Sequence, residues 1–97
     1  MNAELSKDNL VGHRALQDYC KSLHPAKASN IDKNIDTMMT VFVFDGQPQS
    51  TALKQYEVSK EFATRRTAQL KALKDNAATG DNSVTVTCDS LVKPPEK

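Results

Sequence analysis

Met38-Met39-Thr40-Val41-Phe42-Val43-Phe44 is the most apolar run of this chain, and its conformation decides the fold. Two readings compete. In one, the run ends a helix begun near Asn30 that carries Ile31 and Ile35. In the other, it is a strand buried on both faces. β-Branched and aromatic residues alternate in the run, it has about the length of a strand, and Asp45-Gly46-Gln47-Pro48 closes it with turn residues. These signals favour the strand.

Downstream of the turn, Ser50 is a candidate N-cap. From there to Asn76 no glycine or proline interrupts a run of good helix formers. At about 100° per residue, Ala52, Tyr56, Ser59, Phe62, Ala63, Leu70, Leu73 and Ala77 share one broad stripe. Lys54, Glu57, Glu61 and Arg65 fall opposite. The reading is one long amphipathic helix around which the chain is organised, ended by Ala77-Ala78-Thr79-Gly80 with Gly80 free to take a positive φ. Arg66 breaks the pattern inside the apolar stripe. Either its stem covers apolar surface while the guanidinium stays in water, or it forks onto a carboxylate or carbonyls at the edge of a cleft.

Further out, Gly80-Asp81-Asn82 turns the chain, and Ser83 to Cys88 alternates like a strand. Upstream, a first helix is expected from about Asp8 to Leu23. Its apolar face holds Gly12, Ala15, Leu16, Tyr19 and Leu23, with Cys20 at the flank, and Pro25 stops it. The expected fold is therefore α+β: an N-terminal helix, then a β-α-β unit with one long central helix and a small sheet. The alternative is a three-helix bundle with a short C-terminal strand. The 97 residues make one domain, with residues 1–7 and 93–97 as disordered tails.

Charge is balanced, thirteen Lys and Arg against twelve Asp and Glu, with no polybasic tract. Phosphate neutralisation, the main source of nucleic-acid affinity, has no evident donor set, so no nucleic-acid partner is expected. No apolar run approaches the ~20 residues of a membrane span. The polar start Met-Asn-Ala-Glu-Leu-Ser reads like the front of an exported protein whose leader has been removed.

Cys20 and Cys88 suit a single disulfide between the chain's two ends. Closing so long a loop contributes on the order of 4 kcal/mol in the chain-entropy account, and such a bond persists in oxidising compartments. The bland reading is two unrelated buried thiols. His13, Cys20 and His24 lie on one flank of the first helix, but no metal motif supports zinc there, and no metal or cofactor is expected. Gly12, Gly46 and Gly80 are isolated, so no phosphate loop exists, and no nucleophile elbow is present. The chain is not expected to be an enzyme.

The functional expectation is a small periplasmic or secreted protein-binding module stapled by one disulfide, of inhibitor, immunity or secretion and pilus accessory type. Arg66, Arg65, Tyr56 and Phe62 are its candidate partner-binding residues. The competing expectation is a cytosolic homodimeric adaptor or regulator with free thiols.

Overall fold

The computed structural model describes residues 3–94. Among these, five α-helices and no strand are found: α1 (Ala3–Leu23), α2 (Ala28–Phe42), α3 (Thr51–Glu57), α4 (Lys60–Ala78) and α5 (Ser83–Leu91), with a 3-10 turn over Pro25–Lys27. The expected α+β fold and its small sheet are overturned. So is the alternative's C-terminal strand. The chain is a helical bundle.

The apolar run is the last part of α2. The reason lies upstream of it. Ile31, Ile35, Met39 and Val43 recur every four residues and are all buried, at 0%, 0%, 2% and 3% exposure. That is a helical core stripe crossing from the polar connection into the apolar run. Val41 and Phe42, which gave the run its strand-like look, are surplus to the core and stay exposed at 56% and 58%. Thr37 and Thr40 donate their hydroxyls to the carbonyls of Lys33 and Asp36, one turn back. The helix thereby offsets part of the cost of its β-branched residues. Asp45 (φ 56°) and Gly46 (φ 78°) then reverse the chain, as the turn residues suggested.

The C-terminal segment is also helical. Val84, Cys88 and Leu91 share its inner face, whereas Val86, the alternating partner expected beside Val84, is 57% exposed. Val- and Thr-rich sequence has modest helix propensity, so tertiary contacts hold α5. Asp81 accepts from the backbone N–H of Ser83 at its start. At its end, Asn34 Nδ2 donates to the carbonyls of Leu91 (2.7 Å) and Lys93 (2.9 Å), and Asn30 Nδ2 to that of Val92 (3.0 Å). Two asparagines of α2 thus satisfy carbonyls that a helix terminus leaves open.

The hub is α1, which packs against every other helix. Leu10, Val11, Ala15, Tyr19 and Cys20 are all buried on it. It begins at Ala3, so residues 3–7, expected to be a loose tail, are helical. Ser6 and Leu10 are buried, which ties this first part to the body. Residues 1 and 2 and residues 95–97 lie outside the described chain. Leu23, expected in the core, is 43% exposed.

The long helix expected from Ser50 to Asn76 is broken in two at Val58–Ser59. Ser50 does cap α3, accepting from Leu53 N–H at 3.2 Å. Ser59 then acts as a second cap. Its hydroxyl accepts from Phe62 N–H at 3.1 Å and donates to the carbonyl of Tyr56, at the end of α3. Beyond the break, α4 buries one side chain fully, Phe62, with Leu70, Leu73 and Ala77 partly covered. It ends as expected: Gly80 has φ 100°, its N–H donates to Ala77 O, and Asp81 N–H donates to Asn76 O. This is the paired bonding of a glycine-closed helix terminus.

Candidate functional site

The four residues singled out in the sequence meet, and the break at Ser59 is what brings them together. In a straight helix Tyr56 and Phe62 would point about 120° apart, and Arg65 would face away from Tyr56. Across the elbow, the Tyr56 and Phe62 rings meet edge to face with centroids 5.5 Å apart. Arg65 donates to the Tyr56 hydroxyl at 2.7 Å and pairs with Asp8. Arg66 lies over the Phe62 ring, 5.9 Å from its centroid, and forks onto Asp18 with both bonds at 2.6 Å. Those contacts hold both arginine pKa values above the ordinary one. For Arg65 the cause is hydrogen bonding to Asp8 and Tyr56, and for Arg66 it is hydrogen bonding to Asp18. Tyr56 and Phe62 are buried at 7% and 2% exposure. The cluster therefore fastens α3 and α4 to α1, and its two aromatic rings have little surface left for a partner.

A second polar assembly was not anticipated. Arg14 of α1 donates through Nε to Glu57 of α3 at 2.7 Å and through Nη1 to Gln17 at 2.9 Å. Asp36 of α2 stands 3.7 Å from the same Nη1. Gln17, itself buried, donates to Asp32 at 2.6 Å, and Lys21 pairs with Asp32 at 3.0 Å. On the other side, Gln49 donates to the second oxygen of Glu57 at 2.8 Å. Burial works against ionisation of Asp32. The hydrogen bonds from Gln17 and Lys21, with the charges of Lys21 and Arg14, outweigh it and hold the carboxyl below its ordinary value.

This network borders a cleft of about 420 Å³ between α1, α2 and the loop that follows α2. Arg14, Asp36, Met39, Thr40 and Phe44 line it, with residues 46–49. A smaller hollow of about 250 Å³ adjoins it, sharing Phe44, Gln47 and Pro48 and adding Asp45. On the sequence, Arg14 and Glu57 read as water-facing positions of two amphipathic helices, and Asp36 as part of a solvated polar connection. No local spacing links them, because the contact joins positions 43 apart. Around the corner of α2, exposed Val41 and Phe42 lie one helical turn from partly buried Met38.

Cys20 and Cys88 form the expected disulfide, and both are fully buried. The bond ties α1 to α5 across a sequence separation of 68. It also removes the thiolate that a metal site on the flank of α1 would require. His13 is hydrogen-bonded to the Asn9 carbonyl at 2.7 Å, and His24 lies 3.6 Å from Asp89. Among the described residues, no helix is long and apolar enough to cross a membrane.

No family model, no curated protein and no solved structure matches this chain.

Proposed function

We propose that this chain is a small exported protein-binding module, of the inhibitor, immunity or secretion and pilus accessory kind. The observation that carries the reading is the buried Cys20–Cys88 bond between the chain's two ends. Such bonds persist where thiols are oxidised, and small domains with little core rely on them. The contact surface assigned here is the C-terminal end of α2 with the loop after it. It replaces the Tyr56–Phe62 cluster, whose rings are buried. Val41 and Phe42 supply exposed apolar area there, and the cleft beside Thr40 and Phe44 supplies polar groups. A mixed surface of this kind suits a protein partner.

Intact mass with and without alkylation, on protein from its native host, tests the compartment. Both cysteines blocked until reduction is the expected result. Two free thiols, with a dimeric mass in solution, would instead favour the cytosolic adaptor. Phe42→Glu tests the surface. Capture of a partner from the extracytoplasmic fraction should be lost with Phe42→Glu and kept with Val86→Glu, an equally exposed site on α5. Equal capture by both variants would remove the end of α2 from the interface.

A further inference from the structure

We propose that the cleft beside Arg14 receives a basic side chain, arginine or lysine, of the protein partner. The inference rests on the protein-binding reading and adds the chemistry of what is bound. Three features carry it.

The first is charge. Arg14 lies between two carboxylates, Glu57 at 2.7 Å and Asp36 at 3.7 Å. Asp45 stands at the adjoining hollow, and among the described residues lining the two hollows Arg14 is the one cation. An anion entering here meets a guanidinium already held by Glu57 and Gln17. A cation meets Asp36, whose side chain is 68% exposed and whose distance to Arg14 exceeds hydrogen-bonding length. The second is the lining. Met39, Phe44 and Pro48 offer apolar surface to the methylene stem of a long cationic side chain. The third is the acceptor set. Gln49 uses its amide N–H on Glu57, which leaves the carbonyl oxygen of that amide as an acceptor, and the Thr40 hydroxyl oxygen is another. Acceptors on apolar walls match a guanidinium or ammonium, which only donates.

The test needs no partner. N-acetyl-arginine amide is titrated into the 15N-labelled protein at constant ionic strength, with N-acetyl-norleucine amide and N-acetyl-glutamate amide as controls. The expected result is saturable shifts at Thr40, Gly46, Gln47 and Gln49 with the arginine probe alone. Asp36→Asn, at an exposed position, should weaken binding by roughly two- to five-fold, the range of a rim ion pair. Thr40→Arg, which places a basic side chain at the cleft from within the chain, should abolish it. No localised shift, or the same shift from the norleucine or glutamate probe, overturns the proposal. The thiol measurement stands apart from this one, so an empty cleft would not decide the compartment.

Discussion

Arg66 takes both carboxylate oxygens of Asp18, through Nε and Nη2 at 2.6 Å each, and so joins α4 to α1. The pair stands beside the Phe62 ring and is about a third exposed, 35% for Arg66 and 28% for Asp18. The arginine that breaks the apolar stripe of α4 is therefore a fastener. The fork and the Arg65–Asp8 pair add polar contacts to the packing of α4 on α1, where Phe62 is buried and Leu70, Leu73 and Ala77 are partly covered.

A double-mutant cycle with Asp18→Asn and Arg66→Met should return a coupling of about 1 kcal/mol, the upper end for a pair that solvent still reaches. Arg66→Lys should lose most of it, since one ammonium cannot reproduce the fork. Urea denaturation of the wild type, the single variants and each double variant with Asp18→Asn reads both couplings. A coupling near zero would mean that the fork adds nothing to what Phe62, its neighbours and the Arg65–Asp8 pair already supply.

Reduction of Cys20–Cys88 should lower stability by about 4 kcal/mol from loop-closure entropy. For a domain of this size that corresponds to roughly 15 °C or more in melting temperature. The comparison is between oxidised protein and the Cys20→Ser, Cys88→Ser double variant. A drop of only a few degrees would show that the packing of Leu91 and the Asn30 and Asn34 bonds hold α5 without the tether.

Some of this was legible in the sequence. The disulfide was, because two cysteines near opposite ends leave one intramolecular pairing. Ser50, Gly80 and Pro25 marked helix ends correctly, since capping and φ restrictions are local. The secondary structure of Met38–Phe44 and Ser83–Cys88 was misread for one shared reason. Period-two alternation within a short window was weighed above a period-four stripe that extends beyond it, Ile31 to Val43 in one case and Val84 to Leu91 in the other. The Tyr56–Phe62–Arg65–Arg66 cluster was named but not understood, because its geometry depends on a helix break. The Arg14 network was invisible. It draws on three helices and the loop before α3, and each of its charged members reads locally as a solvated charge.

Ser59 makes that break, and removing its hydroxyl tests it. Ser59→Ala should cost about 1 kcal/mol, the usual loss at an N-cap. The same change should weaken the Tyr56–Phe62 contact, visible as a shift in tyrosine fluorescence or in aromatic NMR signals. Val58→Lys, beside it but 87% exposed, should be nearly neutral. If Ser59→Ala were equally neutral, the elbow would be imposed by packing against α1 and not by its cap.

Acid should act through Asp32. Its carboxyl is held below the ordinary 3.8 although burial pushes the other way, because Gln17 donates to it and Lys21 and Arg14 stand close. A carboxylate whose folded pKa is depressed stabilises the fold fully above its unfolded value, and that contribution is lost as pH falls through the folded one. The window is therefore below about pH 4. Its size is small, under about 1 kcal/mol, since the side chain is 41% exposed and solvent screens it. Urea melts of wild type and Asp32→Asn from neutral pH downward check this. The wild type should be the more stable at neutral pH, and the two should converge once Asp32 is protonated. Curves that stay parallel to the lowest pH would show that the Gln17–Asp32–Lys21 contacts do not favour the ionised form.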